Sequence, residues 1–347
     1  MNITHDPTPN QWNNVVRHCD YPHINQSWEW GEAYKAVPHI QPIRLLVLHN
    51  DEPVGTLQGF EWRIGHISLA MISGGTGGGG GPVVSSHLPE LLKISVHEHL
   101  IRSFFKEAKR RRTLKTTLYT EMFAPQPIRE NEWTVTPQWN PVAKLLSDPQ
   151  TMLHERIDQK TRNQIVKAQK NGICVRKGTK SDLALYHSMQ EDLARKKNLP
   201  FNHLNSLHNL QLLWETLTPK GMLKLWIAKK EQEIVGGAII FYYQKGLLYQ
   251  SGVTTQNGRD WYASNAIQWH VIQDAIQHGY TFYNLGGGTK DPQDLRFSIT
   301  QFKMGFGGEF MEFHRYSANG NRILRFLAYK TMKLFGRNEW FPLLVYP

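Results

Sequence analysis

The chain has 347 residues, 40% apolar and 20% charged, with 11 Trp, 13 Tyr and 15 Phe. That composition excludes a disordered chain and leaves room for about two domains. Lys and Arg number 40 against 29 Asp and Glu, a formal charge of +11, which favours acidic partners (RNA, nucleotides, an anionic membrane) without fixing a fold. Cys19 and Cys174 have no metal-ligand spacing to any histidine, which argues against a disulfide framework or zinc site and points to a reducing cytoplasm. Residues 1–14 lack the basic-then-apolar order of a signal peptide, and no apolar run approaches the ~18 residues of a membrane span.

In chain order, residues 26–36 read as a helix capped by Ser27. Residues 43–49 and 54–62 read as paired strands around an Asn50-Asp51-Glu52-Pro53 turn. A glycine run from Gly74 to Gly81 ends in Pro82. It lacks the Gly-Lys-Ser/Thr of a nucleotide loop and is expected to be a mobile turn. Residues 88–111 carry apolar side chains at helical spacing (Leu92, Val96, Leu100, Phe104), and residues 114–122 follow as a strand. Spaced prolines from Pro125 to Pro149 forbid helix and mark the approach to a domain boundary.

Beyond it the same grammar repeats. Residues 154–171 form an expected helix stopped by Gly172, 173–176 a strand, and 182–197 a helix capped by Ser181. Residues 223–229, 233–243 and 246–253 form a meander; 263–278 form a helix ended by Gly279; 281–285 form a strand entering Gly286-Gly287-Gly288. The repeated order predicts an α+β fold of two domains, 1–148 and 149–316, each with a mixed sheet flanked by helices. Residues 317–347 are expected as a basic amphipathic helix packing back on the N-terminal domain. Its Arg322, Arg325, Lys330, Lys333 and Arg337 also suit an anionic membrane surface.

Two further basic clusters suit phosphates. One is the helix with Lys160, Arg162, Lys167 and Lys170; the other is the seven Lys and Arg between Arg102 and Lys115. Each also reads as an ordinary solvated helix face or helix end. No triad, metal quartet or carboxylate pair emerges, so an enzyme built from this chain works by positioning and electrostatics.

The stretches Tyr283-Asn284-Leu285-Gly286-Gly287-Gly288, Leu295-Arg296-Phe297 and Gln301-Phe302-Lys303-Met304-Gly305-Phe306-Gly307-Gly308-Glu309 resemble the closing signature of the Fem family. These are aminoacyl-tRNA-dependent transferases of peptidoglycan stem peptides. Gln26-Ser27-Trp28-Glu29-Trp30, Gly81-Pro82-Val83, residues 160–172 and Val235-Gly236-Gly237-Ala238 match in the same order. The resemblance implies two tandem acetyltransferase-like (GNAT) domains, and a monomeric cytoplasmic enzyme with peripheral contact at the inner face of the membrane is expected. It implies aminoacyl-tRNA as donor, a nucleotide- or lipid-linked cell-wall precursor as acceptor, and no cofactor.

By the same resemblance Lys303 stabilises the oxyanion and Phe302 walls the channel for the tRNA end. Arg162, Lys167 and Lys170 become candidates for tRNA phosphates, and Trp28, Tyr34, Lys35 and Tyr262 for the acceptor. The chain departs from the family at Tyr34, where a lysine is usual, and at Asn284, where an aspartate is usual. A rival reading is an acyl-CoA N-acyltransferase acting on an envelope sugar or amine. Its pyrophosphate turn would fall at Gln256-Asn257-Gly258-Arg259-Asp260-Trp261-Tyr262-Ala263, where Trp261 and Tyr262 replace small residues. A non-catalytic RNA- or membrane-binding module accounts for the charge but not for the Lys303 signature.

Overall fold

The computed structural model describes residues 1–75, 79–122, 124–197 and 206–334, with side chains described to Lys330. The centre of the glycine run and the tail beyond 334 therefore lie outside the described residues. Along the chain come β1 (Asn2–Thr4), α1 (Pro9–Arg17), α2 (Trp28–Lys35), β2 (Ile40–His49), β3 (Glu52–Ile64), β4 (Ile67–Ser73), β5 (Val83–Val84), α3 (Glu90–Arg110), β6 (Lys115–Tyr119) and β7 (Thr134–Lys144). There follow α4 (Pro149–Glu155), α5 (Gln159–Lys170), β8 (Ile173–Lys177), α6 (Asp182–Lys196), α7 (Leu207–Leu217), β9 (Leu223–Lys230), β10 (Glu233–Tyr243) and β11 (Gly246–Thr254). The last elements are α8 (Gln256–Asp260), α9 (Ala263–Gln277), β12 (Phe282–Asn284), α10 (Phe297–Met304), β13 (Gly308–Asn319) and α11 (Arg322–Leu334).

Two compact units result, residues 1–138 with 312 onward, and residues 139–311 as far as they are described. The division falls upstream of the expected 148/149 boundary because the proline-rich stretch is not a linker. Pro137 and Pro141 lie inside β7, whose residues 142–144 pair with β12. In the N-terminal unit the sheet runs β1-β2-β3-β4-β6 and on to residues 315–319 of β13, with β4 and β6 parallel. In the second unit it runs β7-β12-β11-β10-β9-β8, with β11 and β12 parallel. Each unit is thus an antiparallel meander, a helical crossover (α3 or α9) and a parallel partner strand. This is the duplicated α+β order that the sequence predicts.

In the first unit α3 lays Val96, Leu100, Ile101 and Phe104 on Leu45, Val47 and Leu57 of β2 and β3. Each such burial is worth about 1.5–3 kcal/mol. Gly59 permits the approach, since a Cβ there would meet the Phe104 ring at 2.4 Å. The second core gathers Trp226, Val235, Ile240, Ile267, Ile272, Tyr283 and Phe306.

Several local expectations change. The β2–β3 turn is only Asn50-Asp51, both at positive φ, and Glu52-Pro53 already belong to β3. The expected helix 154–171 is broken at residues 156–158, where Asp158 accepts from the Thr161 N–H and starts a new helix. Ser181 makes no side-chain cap; Asp182 accepts from the Thr179 N–H instead. Helix α11 lies with the N-terminal unit, where Leu324, Leu327 and Ala328 line a groove with Ile67, Leu69 and Leu114. Its apolar side nevertheless stays half exposed. Among the described residues no helix is long and apolar enough to cross a membrane.

Candidate active site

The signature lysine sits in the second unit, on a helix rather than in a glycine loop. Lys303 lies in the last turn of α10 and is only 7% exposed. Its Nζ donates to the Gly287 carbonyl at 2.6 Å. Burial, and then the neighbouring Arg296, push its pKa down to about 8. At neutral pH it is therefore mostly an ammonium with few protein partners, holding donor capacity beyond the one carbonyl it reaches.

The loop facing it is built by short-range hydrogen bonds. The Gly286 N–H donates to Asn284 Oδ1 at 2.9 Å, a turn that needs only a side-chain oxygen; Asn284 meets that need in place of an aspartate. The Gly288 N–H donates to the Trp139 carbonyl at 2.9 Å, and the Thr289 N–H to Thr300 Oγ1 of α10 at 3.0 Å. Gly286 sits at φ +77°, and a Cβ there would lie 3.1 Å from the Tyr249 carbonyl and 3.7 Å from Lys303 Nζ. The sheet opens beside this loop. β11 pairs with β12 only from Gly246 to Leu248, and its register with β10 slips between Tyr249 and Ser251. Tyr283 donates to Gln268 at 2.7 Å in the buried floor below.

The other candidates in this unit divide by contact. Phe302 is half-buried and meets Phe306 edge-on at 5.2 Å, so it forms an apolar side next to Lys303. Arg162 does not extend into solvent: its Nη1 donates to the carbonyls of Ile157 at 2.6 Å and His154 at 3.2 Å, closing the end of α4. That use engages one guanidinium nitrogen of Arg162 in holding the backbone. Lys167 and Lys170 are exposed, and the Lys167 ammonium stands 5.7 Å from the Tyr262 ring. Tyr262 holds φ +61° at the N-cap of α9, a strained position for an aromatic residue.

Trp28, Tyr34 and Lys35 belong to the first unit. Tyr34 is 3% exposed, packed between Trp30 at 4.9 Å and Phe60 at 4.8 Å. It is a core residue, and its expected contact with an acceptor is corrected. Trp28 is half-buried beneath the Arg44 guanidinium, 3.5 Å from its ring centroid; Lys35 is exposed. The long basic cluster is largely neutralised: Arg102 pairs with Glu98 and Glu130, Lys109 with Glu132, and Arg110 and Arg111 with Glu107.

What sequence reasoning missed is a cavity of about 380 Å³ in the first unit, lined among others by Cys19, Lys93, His97 and Glu121. Glu121 Oε1 and His97 Nε2 are sealed from solvent without a hydrogen-bond partner. Burial holds the Glu121 carboxyl up at about 8, partly offset by the Gly81 N–H, and holds His97 down at about 4. Both are therefore neutral at pH 7. A single acid after a strand carries no sequence signal; only the fold brings it against Gly81. Among the described residues no His/Cys/Asp/Glu group is arranged to hold a metal ion.

Residues 218–315 match the sequence pattern of the FemAB family. The aminoacyltransferase FemA of Staphylococcus aureus is 34% identical over 71 residues, which span 19% of this chain and 16% of that relative. The crystal structure of FemX superposes with a TM-score of 0.69 at 13% identity, covering 94% of this chain and 99% of that one. A tandem GNAT protein from the clavulanic acid biosynthesis pathway superposes with a TM-score of 0.54 at 10% identity, over 92% and 99% of the two chains. At these identities the two structural likenesses establish the fold: tandem GNAT-like domains.

Proposed function

From the match of residues 218–315 to the FemAB family pattern, we propose that this chain is a Fem-type aminoacyltransferase. It moves an aminoacyl group from aminoacyl-tRNA to an amine of a cell-wall precursor. The observation that carries this reading is Lys303, a buried ammonium 2.6 Å from the Gly287 carbonyl, inside the matched segment. The acceptor amine attacks the ester carbonyl, and the developing oxyanion is met by the Lys303 ammonium in a water-poor site, a contribution of several kcal/mol. Collapse forms the amide and breaks the ester bond; the departing ribose oxygen leaves with a proton that originates on the amine. Phe302 shields the tRNA end, and Lys167 and Lys170 take its phosphates.

The test is donor choice, with purified protein, a muramyl-pentapeptide acceptor, and either mixed charged tRNA or acetyl-CoA. An aminoacyl mass added to the acceptor supports the reading and names the residue transferred. An acetyl mass instead moves the protein to the acyl-CoA class, which bulky Trp261 and Tyr262 before α9 argue against.

A further inference from the structure

Helix α11 carries an apolar face that the described residues of the N-terminal unit leave exposed. Ile323 is 69% exposed, Leu324 53%, Phe326 57% and Leu327 52%. At 100° per residue these four fall within one continuous arc of the helix. The neighbouring Ile67 is 54% exposed, and the adjoining groove is edged by His66, Arg112 and Arg111. A monomeric soluble surface seldom gathers so much apolar area in one place.

The charge beside that face has one sign. Arg322, Arg325, Lys330 and Lys333 belong to the helix, and no acid occurs from Phe313 to Asn338. In the other long basic stretch of this unit, Arg102, Lys109, Arg110 and Arg111 all sit on glutamates. Lys330 lays its ammonium 5.4 Å from the Phe326 ring, so its stem follows the apolar face. An apolar stripe bordered by unpaired-in-sequence cations complements a surface that offers hydrocarbon beneath anionic headgroups.

We infer that α11 is a peripheral membrane-docking helix. It inserts Ile323, Phe326 and their neighbours at the headgroup boundary of an anionic bilayer and presents its Arg and Lys side chains to the lipid phosphates. The inference does not rest on the transfer reaction. It concerns where the protein works, and it would hold for any activity of the second unit.

The test uses the full chain and sedimentation with vesicles of phosphatidylcholine alone or mixed equally with phosphatidylglycerol. Binding is expected to the mixed vesicles, at least tenfold weaker to the neutral ones, and weakened in 0.5 M salt. Phe326→Asp and Ile323→Asp alter exposed side chains, so folding is retained, which circular dichroism checks. Each is expected to lower binding tenfold or more, and Arg322→Gln with Lys330→Gln to lower it by several-fold and reduce the salt effect. A transfer assay on a water-soluble acceptor is expected to be unchanged in Phe326→Asp, which separates this inference from the catalytic one. Equal binding to neutral vesicles, binding untouched by the substitutions, or a dimer in light scattering that Phe326→Asp dissolves without any vesicle binding would overturn it.

Discussion

Replacing Lys303 by Met should make the protein more stable and nearly inactive. The lysine is 7% exposed and its pKa is lowered from 10.5 to about 8, chiefly by burial. A drop of that size corresponds to a ceiling on the order of 3 kcal/mol for keeping the charge in the folded state at pH 7. Methionine fills the same volume without that cost. The Gly287 carbonyl it abandons belongs to an exposed residue and can turn to water, so about 1 kcal/mol is lost there. The balance is a gain of about 1–2 kcal/mol at pH 7, read as a higher urea midpoint.

The sign with pH follows from proton counts. Between about 8 and 10.5 the unfolded chain binds more protons than the folded one, so wild-type stability rises across that window and the Met variant lacks the rise. Turnover in the transfer assay should fall by roughly 10²-fold or more, because the proposed oxyanion donor is gone. A Met variant that is less stable at pH 7, or one with wild-type turnover, would refute the reasoning.

Other consequences are equally open to measurement. Glu121, raised to about 8, contributes stability that is complete below about 4.5 and lost as pH rises through 8. Glu121→Gln should flatten that decline, and an unchanged pH dependence would count against the buried neutral carboxyl. Arg162→Ala should cost about 1–3 kcal/mol by uncapping α4 while leaving tRNA affinity nearly unaltered. Lys167→Glu should leave stability alone and weaken tRNA binding with a shallower salt dependence; the reverse pattern would put the phosphate contact back on Arg162. Gly286→Ala, at φ +77° and against the Tyr249 carbonyl, should lose about 1–2 kcal/mol and most of the turnover, with crystallography or turnover at the wild-type level showing the loop to be more tolerant.

The elements that could be read from sequence are those whose local chemistry and packing agree. The β9–β11 meander is apolar enough to be buried on both faces, and α9 ends at Gly279, which adopts the left-handed conformation a helix stop requires. Ser27 caps α2 as its position suggests, accepting from the Trp30 N–H. Hidden elements are those held by partners distant in sequence. β7 tolerates Pro137 and Pro141 because pairing with β12 is carried by residues 142–144, beyond both of them. α10 has no apolar stripe to announce it, and it is anchored by Thr300 reaching Thr289 and by Gly305 packing on Thr161.

The same contrast governs the site. Lys303 was visible through its surrounding signature, yet its burial was not, since that depends on the glycine loop folding over it. Tyr34, a candidate acceptor contact by resemblance, is enclosed by Trp30 and by Phe60, the latter a partner distant in sequence. Arg162 looked like a free cation because the break that leaves carbonyls for it at residues 154 and 157 comes from Asp158 starting a second helix.

The most direct test of the central claim follows a labelled aminoacyl group from bulk charged tRNA in the presence of the muramyl-pentapeptide. The account predicts that the label passes from a base-labile ester on tRNA to a base-stable amide on the acceptor with the wild-type protein, and stays on the tRNA with Lys303→Met. Label that remains on tRNA with both proteins, while acetyl-CoA acetylates the acceptor, would contradict it.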